Sequence, residues 1–228
     1  MRKNVKKQLA LRVLSTAALV AMVSSIATAA FAAEYNVKDG SVEIVAKDGV
    51  QSITQWADKD EGTYVTDDKG AIKDREDSNI ILTTKNKDTG ETETTSNTVT
   101  IDAKDGNTAN VTLQDVHIET KSSWNDSGSA PIEIKGNGDT KLELNGNNTV
   151  LSGSKNHAGI EKADVNGTGT LTIKDDVNDD GKLLAGGYED SAGIGGGSYH
   201  DGKSYGNTSN ITITGGDITA VGGVYGAG

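Results

Sequence analysis

The acidic segment 176–181 is the part of this sequence whose residue types and spacing best suit metal binding. It fits the pattern Asp-x-[Asp/Asn]-x-[Asp/Asn]-Gly. In the first half of a calcium loop, alternate side-chain oxygens, here those of Asp176, Asn178 and Asp180, converge on the ion, and the glycine permits a sharp bend. The twelfth position is Gly187 rather than Glu, so the bidentate ligand is missing. The alternative is an acidic turn between two strands, and the sequence leaves both interpretations open.

Aromatic side chains in the loops between repeats are the candidates for ligand binding. Sugar binding combines the apolar faces of aromatic rings with nearby polar side chains. Trp124, Tyr188, Tyr199 and Tyr205 all lie in polar or glycine-rich loops. If these loops leave from equivalent corners of the fold, the four rings would line one lateral face. The alternative is that each ring packs over its own loop.

Signals for catalysis are thin. Beyond the first 32 residues the chain has one arginine, Arg75, and its three histidines, His117, His157 and His200, lie in separate repeats. No Ser/His/Asp triad and no pair of glutamates can be argued from the spacing. We therefore predict that the chain is not an enzyme, and a polysaccharide lyase or hydrolase is kept as an alternative.

A two-part motif recurs through the second half of the chain and indicates a repeat architecture. The first part is an aliphatic-x-aliphatic dyad: Val111/Leu113, Leu142/Leu144, Leu171/Ile173 and Ile211/Ile213. The second part begins about 16–21 residues after the dyad begins: Ala130-Pro131-Ile132, Ala158-Gly159-Ile160, Ala192-Gly193-Ile194 and Ala227-Gly228. Segment 110–118 also matches segment 210–218 without a gap, which predicts that these two segments occupy equivalent positions.

This pattern predicts an all-β fold, a right-handed single-stranded parallel β-helix, or β-solenoid. Residues two apart face the same side of a strand, so both members of each dyad would point inward. The dyads are about 29–40 residues apart, a spacing that suits one turn of a multi-sided solenoid and exceeds a hairpin. A β-sandwich is the alternative. The strands predicted from the alternation are 41–46, 80–84, 98–103, 110–113, 116–120, 131–134, 141–144, 170–173, 210–214 and 217–221.

The first 32 residues predict a secretory signal peptide. A basic leader, an apolar run and the small-x-small site Ala30-Phe31-Ala32 follow one another. The leader holds five of the 22 basic residues and none of the 33 acidic ones, so the rest of the chain has a net charge of −16. Nucleic acid is a poor partner for so acidic a chain. We therefore expect a secreted or cell-surface protein without a transmembrane segment after cleavage.

Three regions follow from this interpretation. Residues 1–32 are the signal peptide, 33–96 are an N-terminal cap and first coils with a polar loop, and 97–228 are the repeat-bearing β-helix. The sequence stops within the second part of the motif, at Ala227-Gly228. We therefore expect the helix to be incomplete at this end and to continue in a longer protein.

The segment from about Asn110 to Gly228 resembles repeat-rich surface proteins of anaerobic bacteria labelled carbohydrate-binding domain-containing proteins. The resemblance rests on Ser191-Ala192-Gly193-Ile194-Gly195-Gly196-Gly197 and on the unit that starts Asn210-Ile211-Thr212-Ile213-Thr214-Gly215-Gly216. It implies a right-handed parallel β-helix, surface display, calcium, and binding of acidic sugars or plant polysaccharides. Glu161 and Lys162 depart from the glycine run of that family.

The function expected from the sequence is therefore a non-catalytic surface module for binding or adhesion. Its expected partner is a polysaccharide or a host or cell-wall glycan, with calcium as the candidate cofactor. The alternative is a passive structural stalk of a larger surface protein.

Overall fold

The structure, a computed structural model, describes residues 33–122, 128–200, 203–204 and 206–228. It is nearly all β, with 48% of the residues in strands and 3% helical. Two 3-10 helices, Val37–Asp39 and Asp164–Asn166, are its helical parts. The strands are β1 (Glu34–Asn36), β2 (Ser41–Lys47), β3 (Val50–Asp58), β4 (Thr63–Tyr64), β5 (Thr66–Asp67), β6 (Gly70–Ala71), β7 (Arg75–Glu76), β8 (Ile80–Thr83), β9 (Val99–Ala103), β10 (Thr108–Gln114), β11 (His117–Glu119), β12 (Ile132–Lys135), β13 (Asp139–Asn145), β14 (Asn147–Leu151), β15 (Ile160–Glu161), β16 (Leu171–Lys174), β17 (Lys182–Gly186), β18 (Ile194–Gly195), β19 (Tyr199–His200), β20 (Lys203–Ser204), β21 (Ile211–Ile213) and β22 (Asp217–Val221).

Three sheets form the sides of a solenoid. Sheet 1 has the strand order β1-β8-β10-β13-β16-β21, and sheet 2 has the order β11-β14-β17-β22. Sheet 3 has the order β18-β15-β12-β9-β2-β3-β4, with β7 also paired to β3. The chain visits the three sheets in turn, as in β10, β11 and β12, and strands of successive coils pair in parallel. The predicted parallel β-solenoid is confirmed, with about four turns, and the β-sandwich alternative is wrong.

Columns of aliphatic side chains fill the interior of the solenoid. Along sheet 1, Leu82, Leu113 and Leu144 lie opposite one another in register, and all three are fully buried. Neighbouring strands are about 4.8 Å apart, so each leucine packs on the one above and the one below. The first three sequence dyads, Val111/Leu113, Leu142/Leu144 and Leu171/Ile173, are therefore core residues, as predicted. In the last dyad, Ile211 is only partly buried and Ile213 is exposed.

The register of the later coils differs from the one that the sequence match predicts. Leu171 lies opposite Thr140 and Ile173 lies opposite Leu142, so this dyad is displaced by two residues. The ungapped match of 110–118 with 210–218 is displaced in the same way. A shift of two residues leaves every side chain on its original face, because the side-chain period of a strand is two. The sequence pattern therefore could not distinguish the two registers.

The second part of the motif forms the inner row of sheet 3. Ile132, Ile160 and Ile194 lie opposite one another in register. Ala130 and Ala158 are buried where the chain enters this sheet, at the corner that follows sheet 2. The backbones of successive coils lie close together at this corner, since a Cβ on Gly159 would lie 2.7 Å from the backbone nitrogen of Gly186.

An antiparallel hairpin closes the first coil at the N-terminal end. Strand β3 pairs with the whole length of β2, and β4 and β7 then pair with β3. Gln55, in β3, is buried, and its side-chain amide donates to the carbonyls of Asn36 and Gly40. These bonds satisfy backbone groups that the parallel coils leave unpaired at this end.

Strands β21 and β22 lie at the other end of their sheets in the described part of the chain. Ile213, Val221, Val224 and Tyr225 are exposed there, and Tyr225 is 93% accessible.

Among the described residues, no helix is both long enough and apolar enough to cross a membrane.

Alkaline pH is expected to destabilise the first coil through Tyr35. Its hydroxyl is buried and donates to Asp77 at 3.0 Å, and burial, followed by the nearby Asp77 carboxylate, raises the pKa of Tyr35 above its usual value. A tyrosine whose pKa is higher in the folded than in the unfolded state contributes its full stabilisation when the pH is below the unfolded pKa of about 10. This stabilisation is lost as the pH rises further. Urea unfolding at pH values from about 8 to about 11 should show a steeper loss of stability for the natural chain than for Tyr35→Phe. Equal slopes for the two proteins would contradict this account.

Candidate functional site

An aromatic pair lies on the outer face of sheet 3, near its N-terminal end. Trp56 in β3 pairs with Tyr64 in β4, and the ring centres are 4.5 Å apart with the planes tilted by 34°. The ammonium of Lys73 lies 5.1 Å from the centre of the Tyr64 ring. The register of β3 and β4 shifts between Trp56 and Asp58, and irregularities of this kind often re-aim side chains next to binding sites.

Two cavities adjoin this aromatic pair. The first has a volume of about 220 Å³ and is lined by Ser41, Val42, Glu43, Trp56, Lys59, Thr98, Thr100, Ser129, Ala130, Glu133 and Lys135. The second has a volume of about 210 Å³ and is lined by Glu43, Val45, Ser52, Thr54, Trp56, Tyr64, Lys73 and Asp74. Trp56 and Glu43 line both cavities, so these two side chains form the wall between them.

The coil register places polar side chains in a row beneath the first cavity. Glu43, Thr100 and Glu133 lie opposite one another on β2, β9 and β12. They face outward because their strand neighbours, such as Val42 and Ile132, face the core and are buried. Stacked coils thus present carboxylate and hydroxyl groups at about 4.8 Å intervals beside an indole ring.

These polar groups differ in whether they have partners. Glu133 is engaged, since it pairs with the Lys135 ammonium at 2.9 Å and accepts from the Asn166 amide at 3.2 Å. The half-buried side chain of Glu43 makes no hydrogen bond or ion pair within the described ranges. The indole nitrogen of Trp56 is buried and likewise has no acceptor among the described residues. The wall between the cavities therefore has an acceptor, the Glu43 carboxylate, and a donor, the Trp56 indole N–H, that make no hydrogen bond to the described residues.

The charges around the two cavities balance. The residues that line them include three lysines, Lys59, Lys73 and Lys135, and three acids, Glu43, Asp74 and Glu133. The site therefore does not select a ligand by net charge. An aromatic surface, hydroxyls and carboxylates of this kind can stack on an apolar ring face and bind the hydroxyls around it.

Comparisons with known proteins give no family assignment. No family model, no curated protein and no solved structure matches this chain. The chemistry of the site is therefore the indication of function that this chain offers.

Of the predicted aromatic ligands, the structure describes Tyr188 and Tyr199, and these two belong to different corners of the solenoid. Tyr188 follows β17 and belongs to the corner between sheets 2 and 3. Tyr199 follows β18 and belongs to the corner between sheets 3 and 1. Trp124 and Tyr205 themselves lie outside the described residues. Ser129, which follows Trp124 in the sequence, lines the first cavity.

The predicted calcium ligands make other contacts. Asp176 pairs with the Lys174 ammonium at 2.7 Å, and Asp180 accepts from the backbone N–H of Gly146 at 3.3 Å. Asn178 is exposed. The described ranges contain no group of three or more histidine, aspartate or glutamate side chains placed to hold a metal ion. These contacts fit the alternative of an acidic turn, and calcium binding at this segment stays a prediction.

A buried glutamate holds this acidic turn on the coil below. Glu143 accepts from the backbone N–H groups of Asp176 and Val177 at 2.7 and 3.0 Å. It also pairs with Lys174 at 2.7 Å. Hydrogen bonds to the Asp176 and Glu143 carboxylates raise the pKa of Lys174 above its usual value. The charged groups of Glu143, Lys174 and Asp176 thus hold this loop in place through ion pairs and hydrogen bonds.

Sequence reasoning missed Trp56 because β3 lacks the aliphatic alternation of a strand. Its inward positions are Gln51, Ile53 and Gln55, and the glutamines are buried through side-chain hydrogen bonds. One signal was present, the turn at residues 47–49. Asp48 and Gly49 have φ values of 53° and 79°, as a two-residue hairpin turn requires, so a second strand after this turn could have been expected.

Proposed function

We propose that this chain is exported and acts as a non-catalytic polysaccharide-binding module, with the outer face of sheet 3 as its binding surface. The observation that carries the proposal is the wall between the two cavities. There the Trp56 indole lies together with the Glu43 carboxylate, which has no partner in the described part of the chain. An aromatic face beside free hydrogen-bonding groups suits a sugar ring, which has apolar C–H faces and an equatorial rim of hydroxyls.

The surrounding side chains support a sugar over other ligand classes. Thr98, Thr100 and Ser129 add hydroxyls to the first cavity, and no cluster of basic residues lines it. Nucleic acid would require such a cluster, and the chain beyond residue 32 is strongly acidic. Because the charges at the site balance, binding should depend only weakly on salt.

Export is supported by the first 32 residues, which have the order of a signal peptide. Display at the cell surface or release into the medium would place the binding face where polysaccharides occur. Dependence on calcium stays a prediction, and the acidic turn at 176–181 gives it no support.

A glycan array with the chain from Ala33 onward tests the proposal. We expect retention of at least one polysaccharide, equal signals at low and moderate salt, and no release of new reducing ends or unsaturated products. No retention of any glycan, with or without added calcium, would favour the passive stalk. Product release that persists in purified protein would show a lyase or hydrolase instead. Loss of retention in a chelator would establish calcium dependence.

A further inference from the structure

We propose that the site binds two consecutive sugar residues of one chain, one in each cavity, on the two sides of the wall formed by Trp56 and Glu43. This inference rests on the proposed function and specifies the ligand as an oligosaccharide of at least two residues. A single sugar ring would occupy only half of the site.

The volumes of the cavities support the binding of one sugar residue in each. Their volumes are about 220 and about 210 Å³. Pockets for drug-sized ligands measure roughly 300–1,000 Å³, so each cavity suits a smaller unit such as one ring, and the pair suits two linked rings. Since Trp56 and Glu43 line both cavities, the linkage between the two rings would cross this wall.

The two cavities offer different contacts. The first has Lys59, Thr98 and Glu133, all absent from the second. The second has Tyr64 and Lys73, both absent from the first. Each cavity can therefore be weakened separately, while a change in Trp56 or Glu43 affects both.

The positions of the cavities also give the direction of the ligand. The first lies over β12, β9 and β2, and the second lies over β2, β3 and β4. These strands are neighbours in sheet 3, so the cavities are displaced across the strands. The bound chain would therefore cross the coils instead of following one of them. The sugar residues of the bound chain would then contact successive strands, which are about 4.8 Å apart.

Calorimetric titration with oligosaccharides of increasing length tests the inference. The probes are glucose, cellobiose, cellotriose and cellotetraose, with galacturonic acid and its oligomers as a second series. For the series that binds, we expect the dimer to bind at least about tenfold more tightly than the monomer, with less than about threefold further gain beyond the dimer. In Tyr64→Ala the gain from monomer to dimer should be lost while monomer binding persists.

The exposed Tyr225, far from the site in sequence and on the last coil, provides the matched control. Tyr225→Ala should keep the full gain from monomer to dimer. Binding that is equally tight for monomer and dimer, or that rises evenly up to the tetramer, would overturn the two-residue inference but leave the proposed function intact. Failure of every monomer and oligomer in both series, together with a negative glycan array, would instead refute the proposed function.

Discussion

Replacing Trp56 by alanine is expected to weaken polysaccharide binding by about 30-fold or more, which corresponds to roughly 2 kcal/mol. The indole lines both cavities, so its removal takes the stacking surface from each of them at once. Affinity electrophoresis or calorimetry against the polysaccharide retained on the array measures the effect. Trp56→Phe, which keeps a smaller ring, should lose less affinity than Trp56→Ala.

Two controls separate loss of binding from loss of folding. Tyr225→Ala removes an aromatic side chain that is 93% exposed on the last coil, and it should bind like the natural chain. The far-ultraviolet circular dichroism of Trp56→Ala should keep its β spectrum, because the ring lies on the outer face of sheet 3. Unchanged affinity in a folded Trp56→Ala protein would show that the ligand binds elsewhere.

Replacing Leu144 by alanine is expected to lower the free energy of unfolding by about 2–5 kcal/mol. Leu144 is fully buried and lies in register with Leu113 on the adjacent coil. Truncation leaves a cavity in the column, and the parallel strands on either side limit how far the backbone can close it. Denaturant unfolding of the chain from Ala33 onward measures the loss.

Leu184→Ala is the matched control for this substitution. The same side chain is removed, but Leu184 points outward from β17 and is 37% exposed. The expected change in the free energy of unfolding is small, within about 0.5–1 kcal/mol. Similar losses for the two variants would contradict the assignment of Leu144 to the interior column.

The solenoid and its core could be predicted from the sequence because aliphatic dyads mark the inward faces of several strands. Two strands of sheet 2, β14 and β17, were not predicted. In β14, Asn148 occupies an inward position where the pattern requires an aliphatic side chain. Asn148 is buried, with its amide donating to the carbonyls of Asn145 and Lys182 and its oxygen accepting from the Val116 N–H. A polar residue that is satisfied by the backbone breaks the alternation without breaking the strand.

The candidate site was harder to predict than the fold. The cavities depend on which outward residues of β2, β9 and β12 lie opposite one another, and a shift of two residues changes this while preserving the sequence pattern. They also depend on the antiparallel return of β3, which brings Trp56 next to Ser41. The loop aromatics could be found by composition, whereas Trp56 could be found only through the pairing of its strand.

The proposal that sheet 3 binds a polysaccharide through Trp56 is tested most directly by tryptophan fluorescence. The chain has two tryptophans, so Trp124→Phe leaves Trp56 as the sole indole reporter. Titration with the polysaccharide retained on the array should change the emission of Trp56 saturably, with the same dissociation constant as calorimetry gives for this variant. Calorimetric binding with no change in Trp56 emission would contradict the account.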